Sequence, residues 1–172
     1  MGVSKSQVDK AGRILAEAAD PDIADLASQS AIVDEWRASH GNALLWVAES
    51  LQERARRVCR EVAVGQRLKR KPQIVAKLRR SNTRLAQMQD IGGCRAILPS
   101  TTEVAELSRR MTRPSQYYGI GHLADYREEA RATGYRALHV VVIREDRQIE
   151  VQLRTLRQQA WAEAVERASN RS

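Results

Sequence analysis

The chain has 172 residues, 42% of them hydrophobic and 29% charged, with a formal net charge of +8 and a sequence pI of about 10.1. That is enough chain for one domain with a real core, and no window approaches the roughly 18 apolar residues of a spanning helix, so no membrane-spanning helix is expected. Cys59 and Cys94 stand apart, without zinc or redox spacing. A disulfide framework is therefore excluded, and a reducing, cytoplasmic compartment is expected. The start, MGVSKS, lacks the apolar core of a signal peptide. Its loose match to an N-myristoylation pattern reads as an ordinary polar start. The positive charge is concentrated. Residues 54–84 hold twelve Lys or Arg against one acid, Glu61, a pattern that implies polyanionic partners such as nucleotides or nucleic acid.

In chain order, Val8, Ala11, Ile14, Leu15 and Ala18 follow a helical period, and Asp20-Pro21 ends that helix and caps the next. Ile23, Leu26, Val33 and Trp36 suit a second helix, stopped by His40 and Gly41, with Asn42 as cap of a third. That third helix carries Leu44, Val47, Ala48, Leu51, Ala55 and Val58 on one stripe and is expected to pack on the sheet. Trp36 and Trp46 read as core, and His40 as a helix-end residue. Pro72 starts a short helix with Ile74, Val75 and Leu78 inward, which brings Lys77 near Arg67 and Lys69. Asp90 opens IGGCRAIL, in which residues 95–98 read as a strand ended by Pro99. Ser100 with Glu103 makes a capping box for a helix bearing Val104, Leu107 and Met111. A short strand is expected at 117–120, then a mobile loop through Gly134 that closes over a ligand. Residues 137–143 and 148–155 read as a hairpin around the polar turn Arg144 to Arg147. In its second strand Ile149, Val151 and Leu153 alternate with Glu150, Gln152 and Arg154, one core face and one chemically rich face. Thr155 caps a last helix containing Leu156, Ala160, Trp161, Ala164 and Val165. The expected fold is α+β: a mixed, mostly antiparallel sheet of about five strands flanked by helices. A helical region at 1–66 packs on a core at 67–172.

Asp90, His139 and Glu150, together with Arg67, Lys69 and Lys77, are the constellation that carries chemistry. Two carboxylates from separate elements can share a hard cation such as Mg²⁺, and the cations can hold phosphates that it bridges. No G-x-x-x-x-G-K-[ST] motif occurs, which argues against a P-loop NTPase.

R-L-K at Arg67 and Lys69, I-V-A-K ending at Lys77, Q-D-I-G-G-C-R through Asp90 and Arg95, D-Y at Asp125 and Tyr126, G-Y-R-A-L-H ending at His139, and E-V-Q-L-R-T from Glu150 follow in this order. On these motifs, spanning about Arg67 to Trp161, the chain resembles the synthetase domain of the RelA/SpoT family, particularly its small single-domain alarmone synthetases. The resemblance implies a nucleotidyltransferase-like synthetase fold and transfer of pyrophosphate from ATP to the 3′-hydroxyl of GDP or GTP, releasing AMP. Arg67, Lys69, Lys77 and Arg95 would bind ATP, and Asp90 and Glu150 would hold Mg²⁺. Glu150 would also take the proton from the 3′-hydroxyl, with His139 near the transferred phosphates. Tyr135 would stack on the acceptor base, with Arg131, Gln152 and Arg154 lining the acceptor side. Where the family usually has Pro-Lys, this chain has Ala130 and Arg131: the charge survives and the rigidity does not. None of His40, His122 and His139 is followed by Asp, so the family's hydrolase pair is missing and a synthetase-only protein is expected. The alternative within the superfamily is a toxin that pyrophosphorylates the 3′ end of tRNA or adenosine nucleotides, which would add tRNA and an antitoxin protein as partners. Its physical support is the surplus of cations, Arg54, Arg56, Arg57, Arg60, Arg70, Lys71, Arg79, Arg80 and Arg84. A catalytically silent binding module is the third reading, opposed by the presence of both carboxylates. The oligomeric state is left open.

Overall fold

The computed structural model describes residues 2–18, 26–125 and 137–169. Its elements are α1 (Lys5–Glu17), α2 (Ala27–Ala38), α3 (Gly41–Arg56), β1 (Ala63–Leu68), α4 (Lys71–Arg80), a single 3₁₀ turn (Leu85–Gln87), β2 (Gly92–Leu98), α5 (Thr101–Met111), β3 (Gly119–Asp125), β4 (Leu138–Arg144), β5 (Arg147–Thr155) and α6 (Leu156–Ser169). The five strands form one sheet in the order β1-β2-β5-β4-β3. Only β2 and β5 run parallel, as expected for a mixed and mostly antiparallel α+β sheet.

The alternation in β5 decides which face is which. Ile149, Val151 and Leu153 are buried with Cys94, Ala96, Leu98, Val140 and Val142 on the inner face, against Leu44, Val47 and Leu51 of α3 and Val104, Leu107 and Met111 of α5. The capping box expected at Ser100 is present: its hydroxyl accepts from Glu103 N–H while Glu103 accepts from Ser100 N–H. A smaller cluster gathers Val8, Ala11 and Leu15 of α1, Val33 and Trp36 of α2, and Ile74 and Val75 of α4 around Met88 and Ile91. Pro72 lies in the first turn of α4, where its missing N–H costs nothing.

The hairpin turns on two residues, Glu145 (φ 51°) and Asp146 (φ 60°), with Arg144 and Arg147 paired across it. Positive φ at both central positions is the turn whose twist matches a two-residue hairpin. The tip is tied to the N-terminal helices. Lys5 pairs with Asp146 at 2.9 Å, and Arg147 stacks over Trp36 at 4.3 Å while donating to Ser39 Oγ.

Three local expectations differ from the structure. Asn42 lies inside α3, whose N-cap is His40. The buried His40 ring instead bonds the Trp36 carbonyl at 2.8 Å, so α2 runs almost directly into α3. β2 begins at Gly92 rather than at 95, because both glycines join the ladder with β1 and β5. β3 covers Gly119–Asp125 rather than 117–120. Tyr118 is buried with its hydroxyl donating to Met111 O at 2.8 Å, which anchors the turn, and a register shift between Ile120 and His122 carries the strand on to Asp125. The expected loop beyond Asp125, with Tyr126, Ala130, Arg131, Gly134 and Tyr135, lies outside the described residues, as does the Asp20-Pro21 junction. Among the described residues no helix is long and apolar enough to cross a membrane.

Candidate active site

The polar face of the sheet is organised by register. Arg67, Gly93, Glu150 and Val141 stand in one cross-strand row, and Gly65, Arg95, Gln152 and His139 in the next. Residues in such a row share a face, with neighbouring strands about 4.8 Å apart. Gly93 therefore leaves a gap roughly two strand spacings wide between Arg67 and Glu150. A Cβ at Gly93 would meet nothing nearer than the Glu150 carbonyl at 3.8 Å, whereas one at Gly92, on the core face, would meet Ile149 Cδ1 at 2.6 Å. One glycine is there for packing; the other opens the site. A cavity of about 580 Å³ follows, lined by Arg67, Asp90, Gly93, Arg95, Glu150, Gln152 and Arg154, with Ala162 and Val165 of α6 closing one end.

Asp90 enters this cavity from the turn before β2, fixed between the buried side chains of Met88 and Ile91. Its carboxylate is clasped by Lys69 Nζ at 2.9 Å and Lys77 Nζ at 2.8 Å. Burial alone would raise its pKa, but the two ammonium groups outweigh it, so the carboxyl is held below its ordinary value and is ionised at neutral pH. Lys69 is itself positioned by α2, since Arg37 Nε donates to the Lys69 carbonyl at 2.7 Å and the next turn is tied by Lys71 to Asp34 at 2.8 Å.

Glu150 faces Asp90 from β5. Burial pushes its carboxyl up, while His139 Nδ1 on Oε1 at 2.9 Å and Gln152 Nε2 on Oε2 at 2.6 Å pull it down, against some opposition from the Asp90 charge. The net direction is downward, so Glu150 too is ionised at neutral pH. The line of contacts continues. Arg154 donates to Gln152 Oε1 at 2.6 Å and to Gln159 Oε1 at 3.0 Å, and Gln159 donates to Glu163 Oε1 at 2.6 Å.

Of the residues singled out from sequence, Arg67, Asp90, Arg95, Glu150, Gln152 and Arg154 meet at one cavity. Lys69 and Lys77 are drawn to the same place, but each points at Asp90 and neither lines the cavity wall. His139 sits behind Glu150 in the same way. Arg131 and Tyr135 fall outside the described residues. Gln159 and Glu163 were not singled out. The available signal was their four-residue spacing on a helix starting directly after the E-V-Q-L-R-T strand, which places Gln159 against Arg154 and Glu163 one turn on, beside Gln159. Thr155 does cap that helix, accepting from Gln158 N–H while Gln158 accepts from Thr155 N–H.

Whether the site suits a divalent ion can be judged from its donors. Among the described residues no three His, Cys, Asp or Glu side chains form a cage. Two ionised carboxylates facing one water-accessible cavity are the donor set of an ion such as Mg²⁺, which keeps several waters and takes further oxygens from phosphates. The residues fit.

A family model described as the region found in RelA/SpoT proteins matches residues 66–170, well over half of the chain. The chain belongs to the RelA/SpoT family. Uncharacterized proteins of Mycobacterium bovis and Mycobacterium tuberculosis are 31% identical over 137 residues, covering 74% of this chain and 49% of theirs. The chain thus spans about half the length of these curated relatives. Among solved structures, a GTP pyrophosphokinase family protein from Streptococcus pneumoniae superposes with a TM-score of 0.69 at 26% identity, over 80% of this chain and 75% of that one. Small alarmone synthetase 1 from Bacillus subtilis, solved with its product pppGpp, gives 0.68 at 22% identity over 80% of both chains and shows the shared synthetase fold.

Proposed function

We propose that the protein is a pyrophosphotransferase that moves the β,γ-pyrophosphate of ATP to the 3′-hydroxyl of GDP or GTP, making ppGpp or pppGpp and releasing AMP. The observation that carries this reading is the cavity in which Asp90 and Glu150 face each other across Gly93 while the side chains of Arg67 and Arg95 make no hydrogen bond or ion pair among the described residues. Cations held ready without internal partners suit a phosphate chain, and two carboxylates suit the ion that travels with it. Bound there, Mg²⁺ would neutralise charge on the transferred phosphates. Asp90 and Glu150 would hold it.

The chain's own residues do the rest. Arg67 and Arg95 bind the donor phosphates, and Lys69 and Lys77 add charge from beside Asp90. Glu150 orients the acceptor hydroxyl and takes its proton as the 3′-oxygen bonds to the β-phosphorus and the bond to the α-phosphate oxygen breaks. His139 and Gln152 hold the Glu150 carboxylate in place. Arg131 and Tyr135 contact the acceptor. Positioning and charge neutralisation supply most of the acceleration, since in-line transfer asks little covalent chemistry of the protein.

The alternative acceptor, a tRNA 3′ end, draws on the nine surplus cations. Five of them have internal work: Arg54 on Ser50, Arg57 on Glu53, Lys71 on Asp34, Arg79 on the Ala16 and Ala18 carbonyls, and Arg80 on the Ala76 carbonyl. Among the described residues, only Arg56, Arg60, Arg70 and Arg84 of these nine stand exposed with no side-chain partner, a weak track for an RNA backbone. The test offers purified protein γ-labelled ATP with GDP, GTP, ATP and deacylated tRNA separately. Label on the guanosine nucleotide, abolished by Glu150→Gln, is the expected result. Label confined to tRNA would establish the toxin activity instead, and no transfer to any acceptor would overturn the enzymatic reading.

A further inference from the structure

The line of side chains that begins at His139 does not end in the cavity; it crosses to α6. Arg154 and Gln159 are almost fully buried, at 7% and 6% exposure, yet both are polar, and nothing in the pyrophosphate-transfer reading requires Gln159. The directions of these bonds are fixed by what each group can do. An arginine side chain only donates, so the amide oxygens of Gln152 and Gln159 must both turn toward Arg154. Their NH₂ groups are then left for acceptors, which are Glu150 Oε2 at one end and Glu163 Oε1 at the other. If Arg154 swings away, the Gln152 amide is free to reverse and present its oxygen to the Glu150 carboxylate, which repels it.

We propose that Gln159, oriented by Glu163, is a positioning residue of the active site: it holds Arg154 in the one arrangement that aims the Gln152 amide donor at Glu150. Gln159 touches no reacting atom. Its effect reaches the chemistry through two intervening side chains, and α6 becomes part of the catalytic apparatus rather than a cover for the sheet. The inference rests on the assignment of Glu150 to the reaction.

The test compares three proteins with wild type. Gln159→Met keeps the volume and helix propensity but removes both hydrogen bonds. Gln159→Ala removes the side chain. The exchange Gln159→Glu with Glu163→Gln keeps a hydrogen bond at both contacts, with the direction of the second reversed, because the carboxylate at 159 accepts from Arg154 and from the amide at 163. The expected result is a kcat lowered about tenfold in Gln159→Met and Gln159→Ala, with KM for ATP within about twofold of wild type. Loss of outer partners at metal sites has this size. The exchange should restore kcat to within about threefold of wild type. A role in packing alone predicts the opposite order, Gln159→Met active and the exchange impaired, and that order overturns the proposal, as does unchanged kcat in all three.

A second measurement separates this inference from the assigned reaction. In ¹⁵N-edited spectra the Arg154 guanidinium signals should coincide in wild type and the exchange, and shift and broaden in Gln159→Met, where the bond to position 159 is lost. If wild type transfers no pyrophosphate, the reaction assigned above fails while these spectra still report on the relay. Guanidinium signals alike in all variants would sink it.

Discussion

Asp90→Asn separates two roles that the site combines. In the structure the carboxylate neutralises Lys69 and Lys77, whose side chains are 14% and 35% exposed. The substitution removes one negative charge and leaves both ammonium groups available to phosphates. Unit charges about 5 Å apart at an effective dielectric near 20 interact by about 3 kcal/mol. The open cavity and counterions reduce that to about 1–2 kcal/mol, which is roughly five- to thirtyfold in affinity. Metal-free binding of a non-transferable ATP analogue, measured by calorimetry with EDTA present, should therefore tighten by about that factor, and the gain should shrink as salt is raised. Turnover with Mg²⁺ should fall about a hundredfold or more, because one of the two carboxylates proposed to hold the ion is gone. Equal or weaker metal-free binding by Asp90→Asn would falsify the picture of lysines held in reserve on Asp90.

The neighbouring glycines should respond differently to one added group. Gly92→Ala drives a Cβ to within 2.6 Å of Ile149 Cδ1 and should destabilise the fold by about 1–3 kcal/mol in urea melts. Gly93→Leu should melt close to wild type but fill the gap beside Glu150 and abolish nucleotide binding. The buried His40, with its pKa lowered to about 4 from 6.5 chiefly by burial, stays neutral while the unfolded chain takes up a proton. Stability should accordingly fall by about 3 kcal/mol as pH drops from above 6.5 to about 4, and His40→Asn should lack that component of the titration. Cys94, buried at 2% exposure with its thiol pushed up to about 12, should resist iodoacetamide until unfolding, whereas the half-buried Cys59 should label in the native protein.

What could be read from the sequence followed from periodicity and chemistry that repeat along the chain. The pleat of β5 separated Ile149, Val151 and Leu153 from Glu150, Gln152 and Arg154 before any coordinates, and the Ser100 capping box and the Pro72 helix start are local signals with local outcomes. Of the candidate site residues, Arg67, Asp90 and Glu150 stood out by types that suit phosphate and metal chemistry, while Arg95 and the roles of Gln152 and Arg154 came from the family resemblance; the structure gathers all six at one cavity. Their partners were harder to see. That Lys69 and Lys77 rest on Asp90 depends on α4 folding back over the turn before β2, which is a matter of packing between distant segments. The course of β3 depended on Tyr118 finding the Met111 carbonyl, and the cap of α3 on His40 finding Trp36; neither contact leaves a pattern in one strand or helix. Gln159 and Glu163 are ordinary helix-surface types until Arg154 is known to lie beneath them.

The division of the interior into two apolar clusters has a mechanical consequence. Glu150 is carried by the sheet and moves with the larger cluster, whereas Lys69, Lys77 and Asp90 are held by segments whose buried side chains, Ile74, Val75, Met88 and Ile91, belong to the smaller one with α1 and α2. The two carboxylates that face each other across Gly93 are therefore carried by segments packed into different clusters. The N-terminal helices reach both sides of the site, since they also hold the hairpin tip through Lys5 on Asp146 and Trp36 and Ser39 on Arg147. The first helices, which carry no motif of their own, become the handle of the site.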